Sequence, residues 1–584
     1  MGLAALIALV AGTPAAFAAL PEIADRVPGN AQVVITLSNM DAFITQVESM
    51  GKLFGSGDQG PMKELDELRN AKGIKKDGSV AIAVMPTADG ESADSETPNM
   101  LVFVPVTDYK AFVAGFDGDA TQDVSTLNMK GEDGFSRDIG NGYALLSPIK
   151  ELVQAYEASK GQREVLMARA GARGRDIIER SDMVIIADVQ SMKPMLEKGL
   201  NEIPNPADLM GGMGGGGGDG DEANAQIAEM KKIGENFIRD GSAGIVGVNL
   251  SGGNVVINLG AQFTKGSELA GFFAGSGNSG ALLNKLPATP FLMAIAMDMT
   301  SPGIRTILTN LQKLGAAEGQ EGSQLSKMLF GGGEGVEGTA TVIGFNPMAL
   351  MGGGLFINST QYTATKDPAG TQAKVKAAME SMNGLETKEG SFATKYEVGV
   401  VEVSGVKADK STMKITPGAD SDPMMGQAMA MMLGPTQELT MLSAAVEGGI
   451  VTTMSNNPPL LSSALEAAKS GKGLGGDEAI TVTRSLMPAN RVFEGYLGTK
   501  ALLDSVGPFL AMIGGPEELP VPAKLAPVGM AMTSGDEGMS FSIVIPADNM
   551  KAFAEIAKAM EGMNGGGDAE PADAPDEEPA APAF

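Results

Sequence analysis

The chain of 584 residues contains no histidine and no cysteine. These absences exclude imidazole and thiolate metal sites, and the Ser-His-Asp and Cys-His nucleophile systems. No side chain with an ordinary pKa near neutrality remains, so any general base must be a carboxylate raised by burial or a lysine lowered by it. Without disulfides, the folded domains rest on core packing alone. Positive charge is scarce: 43 Lys and Arg face 71 Asp and Glu, a formal net charge of −28. Phosphate backbones repel such a surface, so nucleic-acid binding is disfavoured and no nucleic-acid partner is expected; anionic lipid surfaces are disfavoured for the same reason. Long mature apolar runs are also missing. Residues 339–365 carry no charge, but Asn346-Pro347 and Gly352 to Gly354 break them into a strand, a turn and a returning strand, so no mature transmembrane helix is expected. Neither a G-x-x-x-x-G-K-[ST] loop nor a G-x-S-x-G elbow is present.

Glycine (79) and methionine (38) are abundant, which predicts many tight turns and adaptable packing. The length suggests roughly two to four domains. The apolar N-terminus ends in Ala16-Phe17-Ala18, an A-x-A pattern read as a secretory signal peptide over 1–18. No Lys or Arg precedes its apolar core, and a retained membrane anchor is the alternative. Glycine-rich stretches at 210–226 and 331–338 read as linkers, and the acidic, proline-rich tail 563–584 as disordered.

Two nonapeptides, VPVTDYKAF at 104–112 and IPADNMKAF at 545–553, pair a strand end with a turn and a helix start. Strand-like runs entered through Val27-Pro28, Leu286-Pro287 and Met487-Pro488 are each followed by an amphipathic helix, at Met40 to Leu53, Ser301 to Leu314 and Thr499 to Ile513. Six elements of a first half (27–53, 79–86, 101–116, 142–158, 181–200, 242–275) find counterparts in the same order at 286–314, 339–345, 355–382, 448–468, 486–513 and 527–561. The nonapeptides do not sit at equivalent places in that alignment, so strand-turn-helix is the smaller repeating unit. The expected fold class is α+β: repeated strand-helix units forming mostly antiparallel sheets covered by helices, in two similar halves, domain A at 21–285 and its possible duplicate B at 286–562. The alternation in NVVINLGAQF and GMSFSIVIP, entered through the turns SGGN and SGDEG, predicts antiparallel strands with one wet face and helices over the other.

Sharper motifs each carry a blander reading. Ser411 to Lys414 matches the S-x-x-K of penicillin-recognising serine enzymes, with Ser455-Asn456-Asn457 and Lys469-Ser470-Gly471 downstream. The surrounding VEVSGVKADKSTMKITPG alternates like a hairpin, which points Lys414 away from Ser411. Ser147 to Lys150 contains Pro148 and reads as a helix start. Asp117, Asp119 and Asp123, and Asp219, Asp221 and Glu222, lie on loops that could meet calcium but fit no EF-hand spacing; solvated turn acids are the plainer reading. Met424, Met425, Met429, Met431 and Met432 could hold Cu(I), but such residues more commonly pack helices onto sheets.

LPAT from Leu286 and MPAN from Met487, together with GYALLSPIKELVQAY from Gly142, resemble a loosely defined group of exported bacterial proteins assigned to a domain of unknown function. The resemblance implies an envelope or periplasmic α+β protein of repeated units and transfers no catalytic residue. The expectation is therefore an exported, periplasmic or extracellular, non-enzymatic binding or structural protein with no catalytic, cofactor-binding or metal residues and no cofactor. Its partner would be a protein or an apolar ligand. A carrier of an apolar ligand or lipid, and a hydrolase using a buried carboxylate or lysine, are the alternatives.

Overall fold

The computed structural model describes residues 20–564 apart from 54–68, 87–98, 130–131, 203–230, 307–334, 346–353, 355, 387–389, 419–429, 431–432, 435 and 513–520. The expected signal peptide, the 210–226 linker, the acids from Asp219 to Glu222, the five methionines from Met424 to Met432 and almost all of the tail lie outside the described residues.

Among the described residues, nineteen strands form one sheet. In chain order they are β1 (Val33–Leu37), β2 (Val80–Val84), β3 (Met100–Pro105), β4 (Ser125–Met129), β5 (Glu132–Gly140), β6 (Tyr143–Ser147), β7 (Met183–Asp188), β8 (Gly241–Asn249), β9 (Val255–Phe263) and β10 (Phe291–Asp298). There follow β11 (Val336–Gly344), β12 (Ser359–Thr365), β13 (Gly390–Val403), β14 (Val406–Pro417), β15 (Glu438–Val446), β16 (Gly449–Thr453), β17 (Arg491–Leu497), β18 (Val528–Gly535) and β19 (Gly538–Ile545). Every pairing is antiparallel, and the spatial order is β4-β5-β6-β3-β2-β1-β7-β8-β9-β19-β18-β17-β10-β11-β12-β16-β15-β14-β13. The molecule is thus mixed α and β around a large antiparallel sheet.

Local chemistry explains the hairpins. Asn141-Gly142, Ser404-Gly405 and Asp536-Glu537 all have positive φ, the paired left-handed conformation whose twist matches that of the flanking strands. The 331–338 linker was drawn too long: Val336 to Gly338 belong to β11, because Val336 is buried and pairs with Thr365.

Helices pack on both faces. On the inner face lie Glu22–Arg26, Gln162–Glu179, Ser279–Leu283, Pro458–Ser470 and Glu478–Ser485, whose apolar residues join two large clusters. Val27, Leu286 and Met487, the residues before the three strand-entering prolines, are all buried in those clusters. The outer face is covered towards its ends. Met40 and Ile44 of helix Met40–Leu53 and Phe112 of helix Tyr109–Gly115 close over Val80, Val104 and Leu146. Helix Pro368–Met382 closes over Met413, Leu439 and Met441 at the other end. Among the described residues, no helix is long and apolar enough to cross a membrane.

Candidate functional site: the apolar outer face of the sheet

On the central strands the face covered by helices carries polar side chains. On β9 and β19 the small and polar positions are the buried ones: Asn258 is 5% exposed, Ser540 4% and Ser542 0%. They face the inner helix layer, where Ser542 Oγ donates to Asn258 Oδ1 at 2.6 Å and the Ser540 and Thr533 hydroxyls lie 2.6 Å apart. Satisfied in pairs, these groups cost little to bury. Gly260 shares that face because helix Gln162–Glu179 comes close: a Cβ there would stand 2.5 Å from Ile177.

Val256 and Val544 share that buried face, while Ile257, Leu259 and Ile543 point outward. Ile257 is opposite Ile543 and Leu259 is opposite Phe541. The row continues without a polar side chain through Met530, Gly495 and Ile295 in one direction, and through Val248, Met183 and Leu37 in the other. Leu259 is 45% exposed, and Met530, Leu497 and Met293 are all at least 36% exposed. Ile35, Ile185, Ile257 and Ile543 are half-buried, and none of these eight residues joins a packed cluster among the described residues. An exposed apolar patch rimmed by packed helices is the ordinary signature of an interaction surface.

The rim is built from specific contacts. Helix Ala547–Asn564 meets helix Met40–Leu53, and its Ala552 packs with Leu503 of helix Thr499–Met512. At the far end of β9, Phe237, Phe263 and Phe273 close over Ala261 and Met539. That corner is fixed by Asp240, which accepts from Arg239 Nε at 2.6 Å and from the Leu269 amide at 3.0 Å. The Arg239 guanidinium first, and the Leu269 amide with it, hold the Asp240 carboxyl below the usual range.

Among the described residues, the other titratable groups make the following contacts. Glu494, 0% exposed, lies on the inner face with Arg491 Nε at 3.0 Å, Arg484 Nε at 3.3 Å and the Tyr496 hydroxyl at 2.8 Å. Arg484 also donates to the Gly475 carbonyl and Arg491 to that of Pro488, so the cluster ties β17 to the turns beside helix Glu478–Ser485. Burial, and then the Glu494 charge, push the Tyr496 hydroxyl above its ordinary value. Ser411 and Lys414 lie on β14, the serine buried and the lysine exposed on the opposite face. Asn457 caps helix Pro458–Ser470 by accepting from Leu460, and Gly471 ends it at φ 65°, so the other two signature echoes are the two ends of one helix. Ser147 accepts from the Ile149 amide ahead of helix Lys150–Ala155. Asp119 accepts from the Thr121 amide and hydroxyl, an ordinary turn contact, and Asp123 approaches Arg137 at 3.9 Å. No group of three or more acidic, histidine or cysteine residues suited to a metal occurs among the described residues.

In comparisons with family models, curated proteins and solved structures, nothing matches the chain.

Proposed function

We propose that this chain is an exported, non-enzymatic binding protein of the bacterial envelope that holds an apolar ligand against the outer face of its sheet. The observation that carries the reading is the inversion on β9 and β19, where serine and asparagine are buried while Leu259 stands 45% exposed beside Ile257, Ile543 and Phe541. Removing such a surface from water is worth about 25 cal/mol per Å², so an apolar ligand is favoured there without any charged contact. The separation of Ser411 from Lys414 by the thickness of β14 supports a role without covalent chemistry. Export is supported by Ala16-Phe17-Ala18 and by the resemblance of LPAT and MPAN to exported bacterial proteins.

The test is titration with N-phenyl-1-naphthylamine, an uncharged apolar fluorophore, together with mass spectrometry of the natively purified protein. Saturable binding is expected, weakened about tenfold by Leu259→Ser combined with Met530→Ser at unchanged circular dichroism. A probe signal that never saturates, with no retained lipid, would overturn the reading.

We also read the sheet as two copies of one unit, 21–285 and 286–562. Support comes from the order β4-β5-β6-β3-β2-β1-β7-β8-β9, which recurs as β14-β15-β16-β12-β11-β10-β17-β18-β19, with β13 as an addition at the edge. In this reading the joining pair, β9 and β19, are equivalent strands. Each half expressed alone should unfold cooperatively on heating; a half that shows no transition would refute two folding units.

A further inference from the structure

We propose that the ligand of the outer face is an uncharged lipid, its acyl part lying on the central strands and an ester, amide or hydroxyl head on β11, β12, β16 and β15. This rests on the reading that the outer face binds an apolar ligand, and adds to it the chemistry of the other end.

The proposal comes from following one row across the sheet. From Leu37 on β1 to Ile295 on β10 the outward positions are apolar on eight successive strands. At strand spacings of about 4.8 Å that row is roughly 34 Å long, about twice the ~15 Å depth of one leaflet's hydrocarbon. Beyond Ile295 the same row changes character. Thr341 lies opposite Ile295, Gln361 opposite Thr341, Thr452 opposite Gln361 and Ser443 opposite Thr452. Side chains directly opposite across antiparallel strands share a face, so this is one surface that passes from aliphatic to hydroxyl and carboxamide.

The polar part has several features that suit a neutral head. Thr341 and Thr452 are half-exposed, on either side of Gln361. Ser359, opposite Ile343 and two positions along from that row, is fully buried and adds no open hydroxyl to it. The first charged residue along the row is Asp409, opposite Ser443, and it is already occupied by the Tyr396 hydroxyl at 2.6 Å and the Gly399 amide at 2.8 Å. No lysine or arginine stands in the row between Leu37 and Ser443. A phosphate or carboxylate head would lose water there without gaining a cation, on a chain of net charge −28. The plainer use of these hydroxyls is to pack under helix Pro368–Met382, whose Gln372 donates to the Ser443 carbonyl. Ser443 is buried there, and Gln361 is buried with its amide donating to Thr339 Oγ1, which leaves Thr341 and Thr452 as the half-open hydroxyls of the row.

The test uses the full chain loaded with N-phenyl-1-naphthylamine and displaced by monoolein or by oleate at pH 8, which share an acyl chain and differ in the head. Monoolein should displace the probe at a concentration about tenfold lower than oleate needs. Thr341→Val combined with Thr452→Val should weaken monoolein about three- to tenfold, the worth of one or two neutral hydrogen bonds, and leave probe affinity unchanged. Thr341→Ser, which keeps the hydroxyl, should retain the preference. Equal displacement by oleate and monoolein would overturn the proposal in the unaltered protein, as would a double variant that binds monoolein normally. Failure of the underlying reading looks different, because the probe itself would then not bind.

Discussion

The two faces of the sheet use apolar side chains in opposite ways. On the inner face large and small positions alike are covered: Ala81, Ala83, Ala294, Ala296, Ala340 and Ala531 lie beneath helices, and so do Phe103, Leu145, Ile186 and Ile245, all at most 2% exposed. On the outer face the larger Ile, Leu, Met and Phe side chains lie half in water. A chain optimised only for stability would bury its largest apolar groups first, since each contributes about 1.5–3 kcal/mol when fully covered. The inner face does so with Phe103, Leu145 and Ile245, and glycines on the helix side, such as Gly174 against Ile245, let the layers approach closely. The inner face thus accounts for cohesion, and the outer face keeps apolar area in reserve.

That contrast can be broken by substitution. The largest effect is expected from Glu494→Ala on the inner face, which leaves the Arg484 and Arg491 guanidinium groups beside an empty site; calorimetry should record a loss of about 3–5 kcal/mol. Ile177→Ala, at the contact of helix Gln162–Glu179 with Gly247 and Gly260, is expected to cost about 2–4 kcal/mol in urea titration, the lost transfer energy plus a cavity. On the outer face, Leu259→Ala should cost under about 1 kcal/mol, because the side chain is already largely solvated, while apolar-probe affinity falls. A stability loss at Leu259 equal to that at Ile177 would erase the distinction between the faces.

The smallest effect sharpens the comparison at the rim. Asp240 has a depressed native pKa, so its contribution is fully present above the unfolded carboxylate range and is lost as pH falls through the native value. Urea midpoints measured from neutrality downward should drop in acid, and Asp240→Asn should flatten that part of the profile. A profile unchanged by Asp240→Asn would remove Asp240 from the rim's support.

Much of the architecture could be read from residue order. Helix Met40–Leu53 has the expected bounds, and Gly252-Gly253 and Asp536-Glu537, at positive φ, turn β8 into β9 and β18 into β19. Helix Gln162–Glu179 escaped notice because it carries Gly171 and Gly174, poor helix formers retained where Gln262 and Ile245 crowd the backbone. Gly171 is even kinked out of helical geometry at φ 66°. The site itself was hidden by a reasonable rule. Alternation in NVVINLGAQF and GMSFSIVIP correctly separates two faces, but which one meets water depends on where the helices land. Local sequence carries no record of Ser542 meeting Asn258, a contact between residues 284 positions apart. The Glu494 cluster was likewise invisible, since Arg484, Arg491 and Glu494 look like ordinary surface charges until β17 turns Glu494 inward against Arg484 of helix Glu478–Ser485.

The pairing of β9 with β19 also sets a timetable. Ile257 finds its neighbour Ile543 only after the rest of the sheet-forming chain has been made, so through most of synthesis β9 presents bare amides and carbonyls to whatever is nearby. Completion must wait on the most distant contact the sheet contains, which slows folding and leaves the half-made product prone to join its own siblings. Such a chain benefits from a chaperone that shields the middle of the sequence until the final strand arrives.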